Sequence, residues 1–328
     1  LRKINKIIAS NVIKNFKITD NSAINFIFSE LDIKKKLTVD DLGYLIGPII
    51  NSGGRLGFPS YGTELLTSDN PKIIQKKTTE LIKLNNKRKE IEKNILNEID
   101  FKKIENENKG VIIYNNSSIN EGLIGIIAAR LKDYFNKPAI VLTRSNNFLK
   151  ASARSTSAYN IANLIKLLID KKIIEKGGGH NMAAGFVIKK NKLFMLSEFI
   201  QNDYFKKIST IDISYKYESE ISASSINKRF MDEINKLGPF GNHNFLPIFL
   251  IKNVKIIKSN VIKKKHISLI VKPNIGSTLK SVCFNSMNTK IGEYLLSYKK
   301  KINIVAEINE NIWNNKKSIQ LNVKDLIL

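Results

Sequence analysis

One cysteine and three histidines are all that 328 residues contain of the residues that ligate zinc through sulfur or imidazole. A single cysteine excludes a disulfide scaffold, and with so few histidines it also excludes a zinc-finger array. Long apolar runs are missing too. The longest reaches only from about Leu123 to Ala129, where a membrane-spanning helix needs roughly 20 such residues. The first residues, Leu1-Arg2-Lys3-Ile4-Asn5-Lys6, lead into an amphipathic segment rather than a signal-peptide core. A reduced, cytoplasmic setting is therefore expected. Residue 1 is Leu, not Met, which suggests a processed product or an incomplete reading frame. Acid is scarce: 29 Asp and Glu stand against 54 Lys and Arg, a formal charge of +25. That excess suits a polyanion, either nucleic acid or an anionic membrane surface. The length suits about two domains, each able to bury a core.

Along the chain, residues 1–37 read as helical or mixed material. Thr38 and Asp41 form a capping-box pattern for a helix carrying Leu42, Leu45 and Ile46. A glycine-rich break, Asn51-Ser52-Gly53-Gly54-Arg55-Leu56-Gly57, is expected next. Ser68 or Asp69 as cap, Pro71 in the first turn and apolar residues from Ile74 to Ile99 predict a helix from about 70 to 105. Its narrow seam amid charge suits a bridge between two bodies. Residues 110–200 alternate strand and helix patterns, which predicts a helix-covered sheet. From about 211 the pattern changes to short strands, as in a small barrel.

Three glycine- or serine-rich stretches with a nearby cation are candidates for phosphate binding. In the first, Gly177 to Gly179 expose backbone N–H groups, and His180 follows as a donor. In the second, Ser152 and Arg154 alternate onto one face of a strand, with Ser155 beside them. The third is the break ending at Arg55. No metal site is expected: the carboxylates are scattered, and His243 and His266 have no acidic neighbour. No Walker loop follows the glycines. Cys283 reads as core. In the barrel region Phe240, His243, Phe245, Phe249, Phe284, Tyr294, Tyr298 and Trp313 interleave with lysines. Phe240 and Trp313 are the favoured base-stacking residues, whereas Lys263 to Lys265 read as a solvated hairpin.

Taken in order, four stretches resemble the RecJ family of single-stranded-DNA-specific exonucleases, within the DHH phosphoesterase superfamily. Gly47-Pro48-Ile49-Ile50-Asn51-Ser52-Gly53-Gly54-Arg55-Leu56 is similar to that family's G-P-x-x-N-A-x-G-R-L, followed by Leu84-Asn85 and Arg88. Glu121-Gly122 through Leu131, then Lys137-Pro138-Ala139-Ile140-Val141-Leu142, form the second. Ser152-Ala153-Arg154-Ser155 with Gly178-Gly179-His180 and Ala183 to Phe186 form the third. Gly238-Pro239-Phe240-Gly241-Asn242, with Trp313 and Gln320-Leu321, form the fourth. Ile119-Asn120 stand where the family usually has Trp-His.

The resemblance implies an α/β DHH-associated domain plus a β-barrel OB-fold domain, preceded by a long bridging helix. The expected spans are 1–68 for the tail of the DHH domain, 69–109 for the helix, 110–208 for the DHH-associated domain and 209–328 for the OB fold. It implies 5′ to 3′ hydrolysis of single-stranded DNA in repair and recombination. Mg or Mn would be held by an amino-terminal DHH domain that these residues do not resemble, so none is expected in this chain. Arg55, Ser152, Arg154, Ser155, Gly178, Gly179 and His180 would hold phosphates. Expected partners are single-stranded DNA, the DHH domain and a single-strand-binding protein, with no membrane. The competing readings are a stand-alone single-strand-binding module and a DHH-type oligonucleotide or cyclic-dinucleotide phosphodiesterase.

Overall fold

The computed structural model describes residues 3–208, 216–241, 243–287, 289–297, 301–313 and 316–327. The chain divides into two compact units, one of Phe16–Ile213 and one of Leu1–Asn15 with Ser214–Leu328. Among the described residues no helix is long and apolar enough to cross a membrane.

The second helix of the chain opens the larger unit. Helix α1 (Lys3–Asn15) belongs to the other unit, and α2 (Ser22–Glu30) starts behind Asn21, whose side chain accepts from the Ile24 N–H. The expected capping box at Thr38 is present: Asp41 Oδ2 accepts from Thr38 N at 2.9 Å, and Thr38 Oγ1 from Asp41 N at 3.3 Å. It starts α3 (Val39–Asp41), which continues through a π-helical turn (Leu42–Ile46) into α4 (Gly47–Arg55). The glycine-rich break expected at Asn51 to Arg55 is therefore helix. The reason is close packing. A Cβ on Gly53 would stand 2.6 Å from the Phe58 carbonyl oxygen and 3.2 Å from Leu81 Cδ2, so the glycine lets neighbouring elements approach. Helix α5 (Tyr61–Thr67) follows.

Helix α6 (Pro71–Glu98) is capped by Asn70, which accepts from Lys72 N at 3.0 Å, rather than by Ser68 or Asp69. It stops before the expected 105 because Asp100 caps a separate helix, α7 (Phe101–Asn106), accepting from Lys103 N. Its 28 residues rise roughly 42 Å. The buried positions are Ile74, Thr78, Leu81, Asn85, Arg88, Glu92 and Ile95. Ile74 and Leu81 join the core of the helical part, with Ile27, Phe28, Ile49 and Leu65. Ile95 joins the core of the following α/β part. The polar trio lies between them.

The sheet of this unit has the order β1-β2-β3-β5-β4, from β1 (Ile112–Asn115), β2 (Ala139–Ser145), β3 (Phe148–Arg154), β4 (Lys176–His180) and β5 (Ala183–Lys189). Only β1 and β2 run parallel. Alternation sends Ala139 and Val141 to the side covered by α8 (Ile124–Phe135). Ala151, Ala153, Ala184 and Phe186 go to the side covered by α9 (Ile161–Asp170) and α10 (Leu193–Ile208).

In the other unit, β6 (Ser219–Ile221) and α11 (Lys228–Lys236) precede β7 (Ile248–Ile262), β8 (His266–Pro273) and β9 (Leu279–Cys283). Helix α12 (Lys290–Ser297), β10 (Lys301–Trp313) and β11 (Lys316–Ile327) complete it. Strand β10 pairs with both β11 and β7, so the pairings β7-β8-β9-β11-β10 return to β7. Ile251, Val254, Leu269, Ile304, Ile308 and Leu321 fill its core together with Cys283, as expected for the cysteine. Lys263 and Lys264, at φ 51° and 53°, make the tight turn between β7 and β8.

Candidate phosphate-binding cleft

A cleft of about 1130 Å3 opens in the larger unit between α4, α6, α8 and the end of β3. Six cations line it, Arg55, Arg88, Lys89, Lys93, Arg130 and Arg154, against one carboxylate, Glu92. The chain has only seven arginines beside 47 lysines, and four of the seven meet here. Arginine offers a planar fork that matches phosphate oxygens, which lysine does not.

Arg55, the last residue of α4, donates from Nη1 to the Gly122 carbonyl oxygen at 2.9 Å. Arg154, at the end of β3, donates from Nη1 to the Ala153 carbonyl at 2.8 Å and to Ser152 Oγ at 3.2 Å. The pairing of Ser152 and Arg154 expected from alternation is thus present. Gly125 on α8 makes room for it: a Cβ there would lie 3.1 Å from Arg154 Nη2 and 3.2 Å from Ser152 Oγ. Among the described residues neither Arg55 nor Arg154 meets a carboxylate. Burial, and then the charges of Arg88 and Arg154, lower the Arg55 pKa, while Glu92 opposes them. Burial lowers that of Arg154. Both guanidinium groups remain protonated, since arginine titrates far above neutrality. The lowering reports first that both cations are partly withdrawn from water, and for Arg55 also that the neighbouring arginines repel it more than Glu92 attracts it.

The other two arginines are compensated. Glu92 Oε2 accepts from Arg88 Nη1 at 2.8 Å and its Oε1 from Arg130 Nε at 2.6 Å. Arg88 Nε also donates to Asn85 Oδ1 at 3.1 Å. Asn85, Arg88 and Glu92 are all buried. Reasoning from glycine loops does not find Arg88, Glu92 or Arg130. The signal available was the α6 seam itself: extending the Ile74–Leu81 spacing lands on Asn85, Arg88 and Glu92 before Ile95, so polar groups occupy core positions.

Two other expectations change. Gly178, Gly179 and His180 lie on β4, an edge strand joined to β5 by the two-residue turn Asn181-Met182, and not in a loop. The tight approach of β5 demands this glycine: a Cβ on Gly179 would stand 2.3 Å from the Ala183 carbonyl oxygen. Register still relates β4 to the cleft. Arg154 faces Ala183, which faces His180, and Ser152 faces Gly185, which faces Gly178. Directly paired residues share a face, so Gly178 and His180 stand two strand spacings, roughly 10 Å, from Ser152 and Arg154. Gly179 belongs to the opposite face. Ser155 is not in the cleft. It is buried, donating from Oγ to the Tyr159 carbonyl at 2.5 Å, with its N–H bound to the Met182 carbonyl at 2.9 Å. The side chain after Arg154 in the chain turns inward and ties the strand end to the following loop.

At the Ile119-Asn120 departure, Ile119 is buried and Asn120 Oδ1 accepts from Gly122 N at 2.8 Å, shaping the turn that meets Arg55. In the smaller unit Phe240 packs half-buried against the core instead of facing solvent. Phe245, Phe284, Tyr217 and Tyr294 have exposed rings there. Tyr298, and the Trp313 side chain, lie outside the described residues. Among the described residues no three His, Cys, Asp or Glu side chains gather to hold a metal ion. The one carboxylate of the cleft, Glu92, has both oxygens engaged by arginines, so the donor set does not fit a divalent cation.

Two family profiles match the chain, the DHHA1 domain over residues 108–204 and the RecJ OB domain over 217–325. The single-stranded-DNA-specific exonuclease RecJ of Bacillus subtilis is 28% identical over 299 residues, 87% of this chain and 36% of that protein. That of Haemophilus influenzae is 26% identical over 309 residues, 88% of this chain and 52% of that protein. The crystal structure of Thermus thermophilus RecJ in complex with Mn2+ superimposes with a TM-score of 0.71 at 18% identity, covering 94% of this chain and 44% of that one. The chain thus spans between about a third and a half of the length of these relatives. With both domains in sequence order and the matching fold, the chain is RecJ-like and corresponds to the carboxy-terminal part of such proteins.

Proposed function

We propose that this chain grips single-stranded DNA for a 5′ to 3′ exonuclease of the RecJ type, with the arginine cleft holding the strand's phosphates. The observation that carries this is the pair Arg55 and Arg154, two half-buried guanidinium groups that hydrogen-bond neutral oxygens instead of carboxylates. An anion between them would gain charge-assisted hydrogen bonds and relieve their mutual repulsion. Ser152 orients one of them, and Gly178 and His180 extend the same sheet face. In this reading α6 bridges the helical part and the α/β part, and the closed ring of strands is an OB barrel that tracks the strand further along.

Hydrolysis needs an activated water and a group to stabilise the leaving oxygen. The arginines supply only the second. Mg or Mn, and the DHH residues that would hold it, belong in this reading to the complete enzyme, which acts in the cytoplasm alongside a single-strand-binding protein. A cyclic-dinucleotide phosphodiesterase fits less well, because the OB domain is superfluous for so small a substrate.

The test is binding of labelled single-stranded oligonucleotides by the 328-residue chain at several salt concentrations. Each phosphate neutralised should contribute roughly −0.7 to the slope of log K against log salt. Arg154→Ala should cost about 1.5–3 kcal/mol, and Lys264→Ala, in an exposed turn, far less. Equal losses would assign the affinity to bulk charge, and binding to anionic vesicles in preference to DNA would assign it to membranes. An exonuclease assay with added Mg or Mn is expected to show no cleavage by this chain alone. Metal-dependent cleavage would overturn the division of labour.

A further inference from the structure

The arginine cleft has one aromatic side chain on its lining, Tyr44, and it is 85% exposed. Its position follows from the backbone. Pro48 has no N–H to offer the Tyr44 carbonyl, and its ring crowds that carbonyl. The helix responds by widening into the π-turn Leu42–Ile46, where Gly47 N donates to the Leu42 carbonyl five residues back. Gly47 is required there, since a Cβ would lie 2.8 Å from the Leu42 oxygen. Tyr44, Gly47, Pro48, Asn51 and Arg55 then form one stripe, at spacings of three and four, and all five line the cleft. An exposed ring stands at one end of this stripe and, at the other, a guanidinium that contacts no carboxylate among the described residues, roughly 16 Å apart along a rigid helix. That is a few nucleotides of reach.

We infer that Tyr44 is a stacking platform for a nucleobase of the strand whose phosphate Arg55 and Arg154 hold. This rests on the reading of the cleft as a phosphate site and adds what that reading leaves out, a contact to the base. Every base presents a π face, so the contact is tolerant of sequence. It also distinguishes a nucleic acid from an inorganic polyphosphate, which brings charge without an aromatic ring. The face of an exposed tyrosine is apolar, and covering it removes that surface from water.

The experiment measures binding of two labelled strands of equal length by the 328-residue chain, one a single-stranded oligodeoxynucleotide and the other wholly abasic with the same phosphates. Tyr44→Ala should weaken the base-bearing strand roughly 5- to 150-fold and leave the abasic strand within about twofold. Tyr44→Phe and Tyr44→Trp should bind both strands as the parent chain does. The added fluorescence of Tyr44→Trp, after subtraction of the parent's Trp313, should be quenched by the base-bearing strand and not by the abasic one. If Tyr44→Ala weakens both strands alike or neither, while Arg154→Ala weakens both, the phosphate site stands and the stacking role is wrong. If Arg154→Ala changes neither, the phosphate reading fails and this inference fails with it. Should Tyr44→Ala lower the melting temperature, the Tyr44→Trp quenching decides, and its absence overturns the inference.

Discussion

Arg55 and Gly122, 67 positions apart, meet through both backbone and side chain. The guanidinium donates to the Gly122 carbonyl oxygen at 2.9 Å, and a Cβ on Gly122 would stand 2.3 Å from the Arg55 carbonyl oxygen. The glycine is what lets the turn before α8 close against the end of α4, and that closure aims Arg55 into the cleft. Gly122→Ala should therefore destabilise the chain by about 1–3 kcal/mol, as overpacking does, and weaken single-stranded DNA binding at the same time. Gly178→Ala is the control. Nothing lies within 4 Å of its added Cβ, so its stability should stay within about 0.5 kcal/mol. Urea denaturation and anisotropy titration of the two variants check this.

Glu92 is expected to be worth more than either partner suggests alone. Glu92→Ala leaves Arg88 buried and unpaired, a loss of about 3 kcal/mol in urea midpoint experiments. Arg130→Ala should cost at most about 1 kcal/mol, because its side chain is 55% exposed and solvent screens the pair. Equal losses would mean that the Arg130 half of the network carries the stability.

The two serines flanking Arg154 should separate cleanly. Ser155→Ala deletes a buried hydrogen bond to the Tyr159 carbonyl and should cost about 1–2 kcal/mol of stability with DNA affinity unchanged. Ser152→Ala removes the hydroxyl 3.2 Å from Arg154 Nη1 and should weaken binding while leaving the melting temperature nearly in place. Measuring both quantities on both variants would expose the reverse assignment at once.

Protonation of His266 should weaken the smaller unit. Its Nδ1 accepts from the Asn285 N–H at 2.9 Å, which requires an unprotonated nitrogen. Burial first, then the charges of Lys265 and Lys263, lower its pKa below the ordinary 6.5. The unfolded chain therefore binds the proton more tightly, and stability increases with pH through the interval below 6.5. Stability present above that value is lost as pH falls through the folded pKa. NMR titration of the His266 ring should place its pKa below 6.5, and His266→Gln should flatten the dependence. A His266 pKa above that value would refute the assignment.

Much of the architecture was readable from local pattern. Pro71 after a polar cap and the Ile74 to Ile95 spacing dictated a long helix, because those features act within a few residues of chain. Alternation in Ser152-Ala153-Arg154 was enough to put the serine and arginine on one face, since a strand has a period of two. The charge of +25 is likewise a property of the sequence alone, and it is the basis for expecting a polyanion partner. Tertiary packing decided the rest. Whether glycines mean a loop or a close contact depends on what lies opposite: Gly53 and Gly179 sit in a helix and a strand because Phe58 and Ala183 approach them. Ser155 left the candidate site because the Tyr159 carbonyl claims its hydroxyl. The cleft itself joins Arg55, Arg88, Arg130 and Arg154, drawn from a helix end, two helix faces and a strand end. No local rule relates residues separated by up to 99 positions; the packing of α4 on α6 in the helical core, and of α6 and α8 against the sheet, brings their charges together, at a free-energy cost that the packed core offsets.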